Sequence, residues 1–173
     1  MPMRKILLTT IGILIWTSGL PCSCNFMGNF LKATSQADIV AIIRIKDYGD
    51  YFKLEGASPQ TINQPLSVTV EIVSVLRGLE DRKEVKIFGD DGVLCRPYIN
   101  VFKKDRYYVV GLYKCGNADR EGIKETPNDY QTSACGEFWI DYNPDNKTVR
   151  GRIRKNKRKP TIMTLDKFEK LLK

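Results

Sequence analysis

Hydrophobic residues recur along the chain in short runs that are typical of β-strands, separated by polar segments containing glycine. Residues 39–45 form an almost continuous run of β-branched side chains and predict a first strand. Residues 66–76 alternate in part between apolar and polar positions, and this segment is long enough to bend around a barrel. Further strands are predicted at residues 85–88, 107–113, 132–140 and 148–153.

Two short helices are predicted, one near each end of these strands. Residues 28–36 contain the apolar contacts of the first, and Thr164 is a suitable N-cap for a second helix with Leu165, Phe168, Leu171 and Leu172 at helical spacing. Residues 47–65, rich in glycine and proline, predict a long loop or a loose hairpin. The pattern therefore predicts an all-β fold, a small closed barrel of the oligonucleotide/oligosaccharide-binding (OB) type with a short N-terminal helix and a C-terminal helix packed on it. A β-sandwich is the competing architecture.

The N-terminus has the pattern of an export signal. Arg4 and Lys5 precede fifteen uncharged residues, 6–20, which are rich in Ile and Leu. A membrane-spanning helix needs about 20 apolar residues, so this shorter run after two basic residues favours a secretory signal peptide. We therefore expect residues 1–21 to be the signal and 22–173 to form one domain.

The mature N-terminus stays open between three forms. Small residues at 17–19 suit cleavage before Leu20, whereas a lipoprotein peptidase would cut before Cys22 and acylate it. Pro21 disfavours cleavage directly before Cys22 by either enzyme. The product is accordingly expected to be secreted, periplasmic or an outer-surface lipoprotein, beginning at Leu20, at a free Cys22 or at an acylated Cys22.

Composition narrows the function classes. The chain has 173 residues, a formal net charge of +8 and no histidine. The absence of histidine excludes Ser-His-Asp and Cys-His nucleophilic sites and His-ligated zinc. Asp90 and Asp91 form an acidic pair, but without the ligand spacing of a calcium loop, and a polar turn is the favoured interpretation. We expect a non-enzymatic protein with no cofactor and no metal of its own.

Five cysteines, Cys22, Cys24, Cys95, Cys115 and Cys135, follow the signal. An exported chain enters an oxidising compartment, so disulfides are the default expectation. The odd number leaves one thiol over, and the sequence alone allows fifteen ways of forming two bridges.

A basic run follows residue 146 and forms a candidate binding patch: Arg150, Arg152, Arg154, Lys155, Lys157, Arg158 and Lys159. Alternation of the three arginines with apolar or small residues predicts the outer face of a strand. One interpretation is contact with a polyanion, a glycan or an anionic surface. The other is a solvated sheet edge whose charges deter aggregation. Nucleic acid is not an expected partner, because the chain is exported and few aromatic residues interleave with the charges.

Several segments resemble the tissue inhibitors of metalloproteinases, in the same order along the chain, and the chain looks closer to compact bacterial members than to animal ones. The first is the Cys-x-Cys pair, Cys22-Ser23-Cys24, directly behind a signal. It is followed by Gln-Ala-Asp-Ile-Val at 36–40, Leu-Cys-Arg-Pro-Tyr at 94–98, the charged turn and strand at 103–110, and Thr-Ser-Ala-Cys at 132–135. The resemblance covers residues 22–140, and the cysteine-rich C-terminal subdomain of animal members is missing.

This resemblance implies a pairing and a mechanism. Cys22 would pair with Cys95 and Cys24 with Cys135, while Cys115 has no counterpart in the family and would be a free thiol or a competitor for Cys24. In the family, the α-amino nitrogen and carbonyl oxygen of the first cysteine chelate the catalytic zinc of the target, and the next residue enters the specificity pocket. Carried over, Cys22, Ser23 and Cys24 form an inhibitory wedge. The implied partner is a zinc metallopeptidase or another extracellular protein.

Overall fold

The computed structural model describes residues 24–54, 62–120, 122–154 and 159–173. Within these ranges the chain forms two short α-helices, one 3-10 helix at Ile99–Val101 and ten β-strands. The helices are α1 (Phe30–Ala33) and α2 (Leu165–Leu172). The strands are β1 (Ile39–Leu54), β2 (Ile62–Arg77), β3 (Glu84–Phe88), β4 (Tyr107–Lys114), β5 (Ala118–Arg120), β6 (Ile123–Glu125), β7 (Tyr130–Gln131), β8 (Trp139–Asn143), β9 (Thr148–Gly151) and β10 (Thr161–Thr164).

Five of these strands close into a barrel in the order β1-β2-β3-β7-β4, with β4 pairing back onto β1. Every contact around the barrel is antiparallel except that between β3 and β7, which is parallel. The predicted all-β, OB-like barrel is therefore confirmed, with one short helix near each end of the chain. Because each of these five strands pairs with a neighbour on both sides, closure removes the exposed strand edges of an open sheet.

The first strand is apolar on both faces because it lies between two hydrophobic cores. Ile39, Ala41, Ile43 and Ile45 point into the barrel, and Val40 and Ile42 point outward into a second cluster beneath the helices. A strand covered on both sides needs a continuous apolar run rather than simple alternation. Register shifts along the pairing of β1 with β2 bend the strand, as barrel closure requires.

Both helices pack on the outside of the barrel and meet there. The rings of Phe30 and Phe168 are tilted, with their centroids 5.6 Å apart, and both side chains are fully buried. Thr164 occupies the predicted N-cap position of α2, although no side-chain hydrogen bond forms; the Leu165 amide instead donates to the Lys147 carbonyl at 2.8 Å. None of the described helices has the length and apolarity needed to cross a membrane.

The predicted strand at 132–140 is wrong for most of its length. In the structure β8 spans Trp139–Asn143. Residues 134–137 before it bond to the N-terminal segment and to Cys95, and the Phe138 carbonyl accepts a hydrogen bond from the Gly111 amide of β4 at 2.8 Å. The strand predicted at 148–153 ends at Gly151, so that Arg150 lies on β9 while Arg152 and Arg154 follow it. Strand β10 and the small β5–β6 hairpin were not expected from the sequence.

Much of the segment predicted as a long loop or a loose hairpin, 47–65, belongs to paired strands. β1 continues to Leu54 and pairs with the start of β2, from Ile62 onward. Asp50 has a positive φ of 48° within this ladder, and its carboxylate accepts hydrogen bonds from Ser67 Oγ at 2.6 Å and Lys86 Nζ at 2.8 Å. These bonds stabilise the positive φ of Asp50, a backbone conformation that is more usual in turns than in strands.

Candidate functional site

The described chain begins at a cysteine that is bonded to the barrel. Cys24 forms a disulfide with Cys135, with 5.8 Å between their Cα atoms. The bridge spans 111 residues of sequence, and a loop of this length corresponds to about 5 kcal/mol of stabilisation in the chain-entropy picture, with about 2–4 kcal/mol typically measured. The predicted pairing of Cys24 with Cys135 is thus present in the structure.

A third cysteine lies beside this bridge. Cys95 is itself disulfide-bonded, and the Sγ atoms of Cys24, Cys95 and Cys135 all lie within 4.8 Å of one another. We refer to these three residues as the cysteine cluster. Cys22 and Ser23 lie outside the described residues, so the predicted pairing of Cys22 with Cys95 and the predicted pocket role of Ser23 remain predictions. Three adjacent cysteines are suitable metal ligands only when reduced, because a disulfide sulfur carries no thiolate charge.

Backbone hydrogen bonds fix the N-terminal segment and the two barrel segments around the cluster. The Met27 amide donates to the Cys135 carbonyl at 2.6 Å, and the Glu137 amide donates to the Gly28 carbonyl at 3.1 Å. The Ala134 amide donates to the Cys95 carbonyl at 3.0 Å. The chain therefore approaches the cluster along a defined path, and the segments carrying Cys95 and Cys135 are direct neighbours.

A buried ion pair supports the segment that carries Cys95. The Arg96 guanidinium donates from Nη1 and Nη2 to the two carboxylate oxygens of Glu125, at 2.8 and 2.9 Å, and from Nε to Gln131 Oε1 at 2.7 Å. The side chains of Arg96 and Glu125 are 9% and 1% exposed. A two-pronged pair of this kind fixes the orientation of both groups, so it positions the chain immediately after Cys95.

The remaining described cysteine is separate from the cluster. Cys115 is a free, buried thiol that packs with Leu66 and Phe88. Burial raises its pKa to about 12, and Glu125 adds to this rise while Arg96 opposes it. The thiol is therefore neutral at ordinary pH and is not a nucleophile. Of the two alternatives for Cys115, the structure shows the free thiol.

Exposed apolar side chains flank the cluster on two segments. Phe26, two residues after Cys24, is 59% exposed, and Val93, two residues before Cys95, is 78% exposed. The Arg152 guanidinium lies over the ring of Phe26, 5.7 Å from its centroid. A groove of about 480 Å³ lies next to Cys95 and is lined by Leu94, Arg96, Tyr113, Gln131 and Thr132 among others. The surface around the cluster thus offers apolar contacts as well as a concave feature.

The predicted basic patch is spread over different environments. Arg152 is ion-paired with Glu137, which removes much of its charge from any ligand. Arg150, Arg154 and Lys159 are exposed, while Lys155, Lys157 and Arg158 lie outside the described residues. Among the described residues Arg150 has no ion-pair partner. Of the four patch residues that the structure describes, Arg150 lies on β9, and Arg152, Arg154 and Lys159 follow that strand.

A second, larger groove of about 720 Å³ lies beside Arg150. It is bounded by β4, β8, β9 and β10, and its lining includes Arg106, Tyr107, Asp141, Tyr142 and Ile162. The rings of Tyr107 and Tyr142 meet edge to face with centroids 6.4 Å apart, and Asp141 and Arg150 are paired in the strand register. Mixed charges next to aromatic rings suit a polar ligand that has both donors and acceptors.

No family model matches the chain, and no curated protein matches its sequence at a significant level.

Proposed function

We propose that the protein is an exported, non-enzymatic inhibitor of a zinc metallopeptidase that acts through a mature N-terminus at Cys22. The observation that carries this proposal is the attachment of the N-terminal segment to the barrel by the Cys24–Cys135 disulfide, beside the bonded Cys95. Under this proposal, the attachment would keep a chain end at Cys22 close to a rigid scaffold. Preorganisation of this kind reduces the entropy lost when a chain end enters a cleft.

The chemistry at the target follows from a free N-terminus. The α-amino nitrogen and carbonyl oxygen of Cys22 would occupy the open coordination positions of a catalytic zinc, and Ser23 would point into the adjoining pocket. The free amine has an ordinary pKa of about 8, so a substantial neutral fraction is available for coordination near that pH. The exposed Phe26 and Val93 would supply apolar contact with the rim of the cleft.

The test compares two chains that differ only at the N-terminus. One begins at Cys22, and the other carries one additional alanine in front of it. Both are assayed against a panel of secreted zinc endopeptidases with a peptide substrate. We expect the first to inhibit at least one peptidase and the second to lose at least a hundredfold in affinity, because the amine is displaced from the zinc. Equal inhibition by both, or inhibition of no zinc peptidase, would contradict the proposal.

A second candidate function is favoured by the groove beside Arg150. In this alternative the protein is a secreted or lipid-anchored module of the cell envelope that binds an anionic glycan, with Arg150 as the charged contact and Tyr107 and Tyr142 as stacking surfaces. Retention on a heparin column would then fall steeply with salt. The substitution Arg150→Gln should reduce retention more than the matched change Lys167→Gln, which removes an exposed charge from α2. Equal effects of the two substitutions would indicate non-specific attraction to a basic protein.

A further inference from the structure

The cysteine cluster places a third sulfur next to an existing disulfide. Cys95 Sγ lies within 4.8 Å of both Cys24 Sγ and Cys135 Sγ, which are bonded to each other. Thiol–disulfide exchange requires a thiolate that can reach a disulfide sulfur, and small side-chain rotations close a gap of this size. Once one disulfide has been reduced, Cys135 can be bonded to either Cys24 or Cys95.

The structure of the barrel favours a bridge between Cys95 and Cys135. Cys95 and Cys135 lie on segments that are joined by the hydrogen bond from the Ala134 amide to the Cys95 carbonyl, at 3.0 Å, and the Ser133 hydroxyl reaches the same carbonyl at 3.4 Å. A bridge between these two cysteines would link chains that are already neighbours. Cys24, by contrast, is exposed and belongs to the terminal segment, which gains conformational freedom when it is released.

We propose that the cysteine cluster is a thiol–disulfide exchange site at which reduction of either bridge by a dithiol leads to one product, a Cys95–Cys135 disulfide with both N-terminal cysteines released as thiols. The reaction partner is an extracellular dithiol that acts as the reductant. The barrel would keep an internal bridge while its N-terminal segment is unclamped.

The first route begins at the bridge of Cys95, whose predicted partner is Cys22. A dithiol thiolate attacks Cys22 Sγ, the Cys22–Cys95 bond breaks, and its electron pair leaves on Cys95 as a thiolate. The second thiol of the reductant closes to a cyclic disulfide and leaves Cys22 as a thiol. The Cys95 thiolate then attacks Cys135 Sγ, the Cys24–Cys135 bond breaks, and Cys24 takes up a proton.

The second route begins at the exposed Cys24. The reductant attacks Cys24 Sγ, and Cys135 leaves as the thiolate. Closure of the reductant to its cyclic disulfide then leaves Cys24 as a thiol. The Cys135 thiolate attacks Cys95 Sγ and displaces Cys22, which takes up a proton. Each route consumes one dithiol, transfers two electrons and ends with a Cys95–Cys135 disulfide and two thiols, Cys22 and Cys24.

The buried thiol does not take part. Cys115 lies in a separate apolar cluster, and its neutral form does not attack disulfides at ordinary pH. The substitution Cys115→Ser should therefore leave the exchange product unchanged and serves as the control variant.

The experiment maps disulfides in the oxidised chain that begins at Cys22, after treatment with one equivalent of dithiothreitol. The reaction is stopped with acid, free thiols are alkylated at low pH, and peptides are analysed by mass spectrometry without reduction. We expect the main species with two newly reduced cysteines to contain a Cys95–Cys135 linkage, with Cys22 and Cys24 alkylated. A main species that retains Cys24–Cys135, with Cys22 and Cys95 alkylated, would overturn the proposal.

A single substitution gives an independent test without any reductant. Cys22→Ser leaves Cys95 without its predicted partner, next to the Cys24–Cys135 bridge. We expect Cys24 to be alkylated more than Cys95 after equilibration at neutral pH, whereas alkylation confined to Cys95 would overturn the proposal. The disulfide map reports the exchange regardless of whether the protein inhibits a peptidase; only the consequence that reduction disables the inhibitory wedge rests on the proposed function.

Discussion

Arg96 donates two parallel hydrogen bonds to Glu125, at 2.8 and 2.9 Å, in a pair that is almost completely shielded from water. The guanidinium belongs to the segment of Cys95 and the carboxylate to the small hairpin of β5 and β6. The pair therefore joins the segment that carries Cys95 to this hairpin by a noncovalent contact. Breaking a buried pair on one side leaves an uncompensated charge, which is the costly event.

The first prediction concerns this pair. Arg96→Met should lower the free energy of unfolding by about 3–5 kcal/mol, because the Glu125 carboxylate stays buried while the guanidinium that balances its charge is removed. The double variant Arg96→Met/Glu125→Leu should recover much of that loss, since no charge remains buried. Urea unfolding of the parent, the single variant and the double variant measures both effects. A loss below about 1 kcal/mol in the single variant would mean that the pair is solvated.

The second prediction concerns the reactivity of Cys115. Because burial raises the pKa of this thiol to about 12, it should react with iodoacetamide at pH 8 much more slowly than a free cysteine peptide does. Unfolding in guanidinium should restore the ordinary rate. Intact mass measured over time follows the reaction, with the Cys115→Ser variant as the control. Alkylation of the native protein at the peptide rate would contradict the buried position.

The third prediction concerns pH. Hydrogen bonds from Arg82 and from Tyr130 lower the pKa of Glu80 from 4.5 to about 2, and the Tyr130 hydroxyl donates at 2.7 Å. A carboxyl whose pKa is lowered by folding contributes stability above its unfolded pKa, and this contribution is lost as the pH falls through its folded pKa.

Glu80→Gln should therefore destabilise the protein at pH 7 by about 2–3 kcal/mol, from the conversion of a pKa difference into free energy. The difference between the parent and the variant should shrink as the pH falls from 4.5 toward 2. Urea unfolding at several pH values measures it. A difference that does not change with pH would show that Glu80 acts through packing alone.

The fourth prediction concerns the contact between the N-terminal helix and the barrel. A Cβ at Gly111 would lie 2.3 Å from Thr34 Cγ2, and Thr34 is fully buried just after α1. Gly111→Ala should cost about 1–3 kcal/mol of stability through overpacking. Thr34→Ser removes the methyl group that clashes, so the double variant should be more stable than Gly111→Ala alone. Thermal unfolding compares them, and an equal loss in both would place the strain elsewhere.

The sequence predicts the central barrel well because its strands are locally distinctive. The apolar run at 39–45 is required by a strand that is buried on both faces, and Phe168 recurs at helical spacing with the other apolar residues of α2. The pattern predicts a strand wrongly in the segment before β8, because the backbone partners of that segment, Met27, Gly28 and Cys95, are far away in sequence. Strand β10 was missed because its four residues gain their stability from pairing with β9.

The sequence likewise predicts some features of the candidate site and not others. The Cys24–Cys135 pairing followed from a resemblance in ordered segments, whereas sequence spacing alone left fifteen possible pairings. No sequence pattern predicts the Arg96–Glu125 pair, because the two residues are 29 positions apart and Glu125 lies in a polar stretch. The basic run gave no indication that Arg152 is ion-paired with Glu137, because no local pattern connects the two segments.

The proposed function depends on one chemical fact, a free α-amino group on Cys22. The most direct measurement is the intact mass of the protein exported by its native host, before and after reduction and alkylation. We predict a chain that begins at an unmodified Cys22 and contains two disulfides, with Cys115 as the single thiol. An acylated Cys22, or a chain that begins at Leu20, would contradict zinc chelation by this protein.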